Sequence, residues 1–149
     1  MSTPVANVVT IVTGAASGIG AACVRRLAER GDTVVGVDLA AEVDGRVRAL
    51  GGALGVIADV STSVACDAAV AQAVERFGRV DHVVSAAGIE CNAPAHEMDD
   101  DTWSLVQRVN VDGSFFMARA VGRHLIAAGR PGSVVLLGSI NSAMAMPGQ

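Results

Sequence analysis

A short stretch near the amino terminus constrains the fold of this chain more than any other. Residues 8–12 are Val-Val-Thr-Ile-Val, a run of β-branched side chains typical of a parallel strand that is covered on both faces. Gly14, Gly18 and Gly20 follow, and residues 21–30 have the pattern of an amphipathic helix. Backbone N–H groups and the helix dipole favour a negatively charged group at such a helix start. The stretch therefore predicts a strand, a glycine turn and a helix arranged to hold a pyrophosphate.

Apolar runs and amphipathic segments alternate along the rest of the chain. Strands are predicted over 33–38, 53–58, 80–85 and 133–137. Helices are predicted over 40–50, 61–78 and 101–128. Alternation of this kind, with right-handed crossovers, predicts an α/β fold: a Rossmann-like, doubly wound parallel sheet with strand order 3-2-1-4-5. Residues 1–149 have the length of one domain.

Several residues that suit a binding site fall just beyond the predicted strands. They are Gly14, Asp38, Asp59, Gly88 and Ser139. Ligands of open α/β sheets bind beyond the carboxyl ends of the strands, where the strand order reverses. Because each of these residues follows a different strand, we expect them to meet at one edge of the sheet.

Asp38, at the end of the second predicted strand, bears on the choice of cofactor. A carboxylate there can accept hydrogen bonds from the ribose hydroxyls of an adenine dinucleotide, each worth about 1.5–3 kcal/mol. Two unit charges about 4 Å apart cost roughly 4 kcal/mol at an effective dielectric of 20, which disfavours a 2′-phosphate by roughly several hundredfold. Asp38 therefore favours NAD over NADP, and its alternative role is that of a turn residue or helix N-cap.

Composition argues against several other classes of function. The net charge is −4 with no basic run, which argues against nucleic acid as a partner. No apolar stretch approaches the roughly 18 residues of a membrane helix, so no membrane association is expected. Cys23, Cys66 and Cys91 are widely spaced, which predicts free thiols in a reducing cytoplasm. His96 and Glu97 have no second His or Cys at ligand spacing, so no metal site is predicted.

The glycine turn has the pattern Thr-Gly-x-x-x-Gly-Ile-Gly over residues 13–20, and in this it resembles the short-chain dehydrogenase/reductase family. Residues 85–88, Ser-Ala-Ala-Gly, are similar to the family's Asn-Asn-Ala-Gly, although Ser85 and Ala86 replace both asparagines. Residues 110–113, Asn-Val-Asp-Gly, resemble the family's motif in its fourth helix. The resemblance implies an NAD-dependent oxidoreductase that interconverts a secondary alcohol and a ketone.

The resemblance also implies roles for individual residues. Ser139 falls where the family has its catalytic serine and is preferred over Ser142. Asn110 would take part in the catalytic relay, and its alternative is an interface or solvated polar residue. Asp59 would meet the adenine amino group, cap the following helix, or do both. The residues implied to bind the cofactor are Gly14, Ser17, Gly18, Ile19, Gly20, Asp38, Asp59, Val60, Ala87 and Gly88.

Two residue types that the family's reaction uses do not occur in this sequence, which has neither Tyr nor Lys. In the family, the Tyr is the general acid/base and the Lys lowers its pKa. With the family's spacing counted from Ser139, both the Tyr and the Lys would fall beyond Gln149. We therefore expect residues 1–149 to be the N-terminal portion of a longer enzyme, truncated after the fifth strand. The alternative is a truncated fragment that binds nucleotide and has no catalytic activity of its own.

The helix predicted over 101–128 has two apolar stripes. One consists of Leu105, Val109, Phe116 and Ala120, and the other of Val106, Met117, Val121 and Leu125. Two stripes predict two buried faces, one against the sheet and one against a partner. The resemblance implies a homodimer or homotetramer that forms through this helix, and the alternative is that a further part of the chain covers the second face.

Overall fold

The computed structural model describes residues 8–144. Its strands are β1 (Val9–Thr13), β2 (Thr33–Asp38), β3 (Leu54–Ile57), β4 (His82–Ser85) and β5 (Ser133–Leu136). In this part of the chain they form one parallel sheet in the order β3-β2-β1-β4-β5. The predicted Rossmann-like fold and its strand order are therefore confirmed.

Helices connect the strands and flank the sheet. They are α1 (Gly18–Arg30), α2 (Val43–Ala49), α3 (Ser63–Phe77), α4 (Asp100–Gln107) and α5 (Gly113–Ala127). A π-helical segment, Arg108–Asp112, joins α4 to α5, and a 3-10 turn, Ile140–Ser142, follows β5. The helix predicted over 101–128 is thus interrupted by a π segment, which inserts an extra residue into the helical ladder. Within residues 8–144, no helix is both long and apolar enough to cross a lipid bilayer.

Helix α2 is shorter than the predicted 40–50, because the chain first makes a turn. The Asp38 carboxylate accepts the N–H of Ala40 at 3.0 Å, and the Ala40 carbonyl then accepts the N–H of Val43 at 3.1 Å. An aspartate that bonds the backbone two residues on favours a turn over a helix. The helix therefore begins only at Val43.

Helix α3 begins at Ser63 and is capped by Thr62, whereas the sequence predicts a helix from residue 61. The Thr62 hydroxyl accepts the N–H of Ala65 at 3.4 Å, whereas the N–H of Ser61 donates to the Asp59 carboxylate at 2.9 Å. The Asp59 turn uses up the first polar position, so the cap falls on the next residue. The predicted stop at Gly78 is confirmed, with a φ of +75°.

The sheet is buried on both faces at its centre. All five residues of β1 are buried. Ile11 belongs to the core that the sheet shares with α3 and α5, and Val12 belongs to the core that it shares with α1 and α2. Side chains alternate between the faces of a strand, so a central strand covered by helices on both sides has no polar face. This explains the continuous apolar run that opened the sequence.

The two stripes of the 101–128 helix are buried to different extents. Met117 and Val121 are fully buried and Leu125 nearly so, all in the core under the sheet. In the other stripe Ala120 is buried, but Leu105 is 46% exposed. Leu105 precedes the π segment and Ala120 follows it, and the extra residue rotates the two ends of the stripe relative to each other. The stripe is therefore divided between the core and the surface.

Two acidic residues fasten the amino ends of the strands. The buried Asp81 carboxylate accepts the N–H of Val9 at 2.9 Å and pairs with Arg79 at 2.7 Å. Asp32 accepts the Thr10 hydroxyl at 2.8 Å and pairs with an exposed arginine at 2.6 Å. Burial of the Asp81 carboxyl acts to raise its pKa, but the Arg79 guanidinium and the Val9 N–H outweigh burial and hold the pKa below its ordinary value.

Replacing Asp81 should make the fold less stable in a pH-dependent way. Asp81→Ala leaves the Arg79 charge and the Val9 N–H without a partner, and should lower the free energy of unfolding by about 3 kcal/mol at pH 7. Because the folded-state pKa is depressed, the contribution of Asp81 is fully present above the ordinary pKa of about 3.9 and is lost as the pH falls through the folded-state value. Urea unfolding of wild type and variant between pH 7 and pH 2 measures this, and the difference between them should shrink in acid.

The matched control for this change is Asp67→Ala. Asp67 lies 3.6 Å from Arg123 on the surface, so its removal should change the stability by less than about 1 kcal/mol at any pH. If Asp81→Ala and Asp67→Ala lowered the free energy of unfolding equally, the buried Asp81 pair would add no more stability than a surface pair.

Candidate functional site

The residues that follow β1, β2, β3 and β4 line one groove at the carboxyl edge of the sheet, with a volume of about 400 Å³. We call it the carboxyl-edge groove. All ten residues predicted to bind a cofactor line it, namely Gly14, Ser17, Gly18, Ile19, Gly20, Asp38, Asp59, Val60, Ala87 and Gly88. The other lining residues are Val37, Leu39, Ala58, Ala86, Ile89 and Val109. The structure therefore brings together residues that are widely separated in the sequence.

Glycine is required at two positions of the turn between β1 and α1. Gly14 has a φ of +67°, and a Cβ there would lie 2.9 Å from the backbone of Ala86 and Ala87. A Cβ on Gly20 would overlap the carbonyl group of Gly14. The turn thus packs backbone to backbone, and a side chain at either position would fill the space beside the groove.

The Thr13 hydroxyl ties the end of β1 to the end of β4. It accepts the N–H of Ala86 at 3.1 Å and that of Ala87 at 3.0 Å, and its side chain is fully buried. Ser85, in place of the family's first asparagine, lies with its hydroxyl 3.2 Å from that of Ser114. Sequence reasoning missed Thr13, although its place immediately before Gly14 was a usable signal. In this structure Thr13 fastens the two strands without either asparagine.

Asp38 is both a turn residue and part of the groove wall. One carboxylate oxygen accepts the N–H of Ala16 at 3.0 Å, and the other accepts the N–H of Ala40 at 3.0 Å. A carboxylate oxygen has two lone pairs, so each still has capacity for a second donor. Both readings of Asp38 from the sequence are therefore compatible with its position.

Asp59 and Val60 form the wall of the groove beyond β3. The exposed Asp59 carboxylate lines the groove, as the first predicted role requires, and it makes the turn before α3. The predicted role as cap of α3 is wrong, because Thr62 caps that helix. Val60 is buried, and a Cβ on Gly113 would lie 3.0 Å from its side chain. The glycine that ends the Asn-Val-Asp-Gly motif thus makes room for a wall residue, a role that sequence reasoning did not find.

Asn110 lies in the π-helical segment and clamps the loop after β4. Its side-chain oxygen accepts the N–H of Ile89 at 2.9 Å, and its amide nitrogen donates to the Ile89 carbonyl at 2.9 Å. A single side chain therefore satisfies both backbone groups of one residue, which fixes the distance between helix and loop. This pairing is a third role, beside the catalytic and the interface or solvated alternatives.

A second cavity of about 580 Å³, here called the side cavity, adjoins the groove at Ile89, which lines both. Its lining residues are Ile89, Glu90, Cys91, Asn92, Met98, Trp103, Val106, Asn110, Ser139, Ile140 and Asn141. The two predicted catalytic residues thus face the same space. The Ser139 hydroxyl accepts the N–H of Asn141 at 3.2 Å, and the side chain of Ser142 lies outside what the structure describes.

The cysteines and potential metal ligands in the described part of the chain bear on whether it has a reactive thiol or a metal site. Cys23, Cys66 and Cys91 are free thiols. Burial, with the nearby charges of Asp67 and Asp59, raises the pKa of Cys66 to about 11, so this thiol is neutral at pH 7 and a poor nucleophile. Among residues 8–144 no group of three or more His, Cys, Asp or Glu side chains is placed to hold a metal ion.

The strand order 3-2-1-4-5 and the groove at its carboxyl edge place this chain among the Rossmann-like α/β proteins. More specifically, the chain belongs to the short-chain dehydrogenase family, because the model of that family, described as short chain dehydrogenase, matches residues 8–149.

Several known proteins resemble this chain over most of its length. The D-threitol dehydrogenase of Mycolicibacterium smegmatis is 36% identical over 143 residues, which are 93% of this chain and 55% of that protein. The cis-4-hydroxycyclohexanecarboxylate dehydrogenase of Sinomonas cyclohexanicum is 42% identical over 141 residues, 91% of this chain and 56% of that protein. The crystal structure of gox2181 matches with a TM-score of 0.88 at 34% identity, over 95% of this chain and 57% of that one. The chain spans about half the length of the curated relatives it matches, and the two relatives named here are dehydrogenases.

Two glycine-to-alanine substitutions should shift the stability in opposite directions. Gly20→Ala forces the Gly14 carbonyl to move and should lower the free energy of unfolding by about 2 kcal/mol. Gly45→Ala, inside α2 with nothing within 4 Å of the new Cβ, should raise it by roughly 0.5–1 kcal/mol. The urea midpoints of the two variants measure this. A neutral Gly20→Ala would show that the turn is not closely packed.

Proposed function

We propose that this chain is the cofactor-binding portion of an NAD-dependent oxidoreductase that interconverts a secondary alcohol and a ketone. The observation that carries the proposal is the convergence of glycine turn, Asp38 and Asp59 on one groove beside a cavity that contains Ser139. Members of the family typically bind nicotinamide cofactors. The oxidised cofactor would supply the hydride acceptor for the alcohol, and the reduced cofactor would supply the hydride donor for the ketone.

The groove has the features that an adenine dinucleotide requires. Gly18, at the start of α1, has nothing within 4 Å of a Cβ position, and N–H groups and the helix dipole there would hold the pyrophosphate. Asp38 would accept the ribose hydroxyls, and its charge would repel a 2′-phosphate. Asp59 and Val60 would hold the adenine, and Ala87 and Gly88 would lie along the other half of the cofactor. These residues fit NAD better than NADP.

The side cavity would hold the substrate. Its apolar wall includes Trp103 and Ile140, and the hydroxyl of Ser139 would hydrogen-bond the substrate oxygen. Asn110 would keep the loop at Ile89, which separates the cofactor from the substrate, in place. The general acid/base Tyr and its Lys would come from the part of the relatives' length that this chain does not span.

A second candidate function rests on the sequence of these 149 residues, which contains neither Tyr nor Lys. A polypeptide with this sequence alone would be a nucleotide-binding fragment without hydride transfer. This fragment would bind NADH and show no turnover with any alcohol. The longer protein would bind NADH and also turn over an alcohol.

The cofactor preference is tested in a protein that joins this chain to the C-terminal half that its relatives have. Such a protein should use NAD with a kcat/KM at least roughly a hundredfold above that for NADP. Asp38→Asn should raise the Kd for NADH roughly tenfold and narrow the NAD preference, because one ribose acceptor and the repelling charge are lost. Steady-state kinetics and NADH fluorescence measure both quantities.

Ser139→Ala is the control for Asp38→Asn, because Ser139 lines the side cavity and Asp38 lines the carboxyl-edge groove. It should lower kcat roughly a hundredfold to a thousandfold and leave the Kd for NADH unchanged. An enzyme that prefers NADP would overturn the assignment of Asp38, and a Ser139→Ala variant with full kcat would overturn that of Ser139.

We further propose that the protein is a cytoplasmic homodimer or homotetramer that assembles through the 101–128 helix. Large apolar side chains remain exposed along this helix, namely Trp103, Leu105, Val111, Phe115 and Ile126. Exposed apolar side chains in this number favour an interaction site. Light scattering of the protein with its C-terminal half should give twice or four times the mass of one chain, and a monomer would contradict the proposal.

A further inference from the structure

An arginine outside the groove contacts the turn between β1 and α1. Arg46, in α2, donates from Nη1 to the carbonyl oxygen of Ala16 at 2.9 Å. Its Nη2 pairs with Glu42 at 2.6 Å, one helical turn earlier. The contact with Ala16 joins residues that are 30 positions apart and belong to different elements. Arg46 is not among the residues that line the carboxyl-edge groove.

The backbone of Ala16 is held on two sides by side chains of opposite charge. Its N–H donates to the Asp38 carboxylate at 3.0 Å, and its carbonyl accepts from Arg46. Ala16 is 9% exposed, so this backbone is largely shielded from water. Glu42, Arg46, Ala16 and Asp38 thus form one chain of hydrogen bonds from α2 to the groove. A hydrogen bond to a charged group is stronger than one between neutral groups.

The start of α1 has no side-chain N-cap hydrogen bond. Ser17 is the N-cap of α1, and its side chain makes no capping hydrogen bond. Gly14 and Gly18 have positive φ and no side chains that could hold the turn by packing. The contacts at Ala16 therefore add charged hydrogen-bond partners to a turn whose helix start has no side-chain cap.

We infer that Arg46 is a positioning residue for the adenosine half of the cofactor. By holding the Ala16 carbonyl, Arg46 fixes the position of Ala16, whose N–H in the preceding peptide bonds Asp38, the acceptor for the ribose hydroxyls. The guanidinium donates to Ala16 and Glu42, and in this inference its role is that of a fixed donor to the turn. This inference rests on the proposed function, since it assumes that the groove holds an adenine dinucleotide.

The test is Arg46→Met in a protein that joins this chain to the C-terminal half of one of its relatives. The Kd for NADH and the Kd for ADP-ribose, which lacks nicotinamide, should rise by the same factor, roughly tenfold. The kcat at saturating NAD should stay within about twofold, because the nicotinamide end is unchanged. Arg46→Lys keeps a donor on a flexible stem and should recover part of the affinity. Fluorescence titration with NADH, and its displacement by ADP-ribose, give both constants.

Two matched variants separate the contact with Ala16 from other effects of the arginine. Arg48→Met removes another paired arginine from the same helix, one that bonds Asp44 at 2.9 Å, and should leave both Kd values within about twofold. Glu42→Gln removes the ion pair but keeps Arg46 on the Ala16 carbonyl, and should also stay within about twofold. If either control weakens ADP-ribose as much as Arg46→Met does, the inference is wrong.

The failure of this inference can be told apart from failure of the proposed function. Wild-type protein that binds neither NADH nor ADP-ribose overturns both. Wild-type protein that binds both, with Arg46→Met unchanged in affinity, overturns the role of Arg46 alone. A lower urea midpoint together with a lower kcat in both Arg46→Met and Arg46→Lys would also overturn the role of Arg46. The substitutions would then destabilise the whole fold and would not act on the adenosine half of the cofactor site alone.

Discussion

A close backbone contact joins the glycine turn to the end of β4, and the site depends on it. Gly14 can approach Ala86 and Ala87 because it has no Cβ, and the preceding Thr13 hydroxyl accepts both of their N–H groups. The contact brings β1 and β4 together where the strand order reverses, so the two sides of the groove have a fixed spacing. Gly20 extends this packing, because its lack of a Cβ lets α1 start directly against Gly14.

Much of the fold and of the candidate site could be predicted, because both follow from local patterns joined by a topological rule. The β-branched run of β1 predicts a strand covered on both faces, and Val9, Ile11 and Val12 are indeed fully buried. Parallel strands with right-handed crossovers end at the same edge of a sheet. Residues such as Asp38 and Gly88, far apart in sequence, could therefore be assigned to one groove without knowledge of any contact.

Two kinds of feature could not be predicted from the sequence. One is a contact between side chain and backbone of residues far apart in the sequence, and the other is a shift of one residue in a helix or in its cap. Nothing near Arg46 in the sequence indicates that it reaches Ala16, because their contact depends on how α2 packs beside the turn. The π segment around Asn110 leaves the apolar pattern of a helix intact on either side, so it gives no periodic signal. The cap of α3 moved to Thr62 because Asp59 bonds the backbone first, a competition that residue preferences alone do not resolve.

The two ends of the sheet use acidic residues for different purposes. At the amino end, Asp32 and Asp81 are buried and paired with arginines, and these pairs fasten strands. At the carboxyl end, the recorded partners of Asp38 and Asp59 are backbone N–H groups, so their negative charge is not cancelled by an ion pair. On the proposed function, the Asp38 charge would oppose a phosphate beside it, while the start of α1 would favour the pyrophosphate. Cofactor choice would then follow from the position of charge along the groove, whereas the acids at the opposite edge pair with arginines and stabilise the sheet.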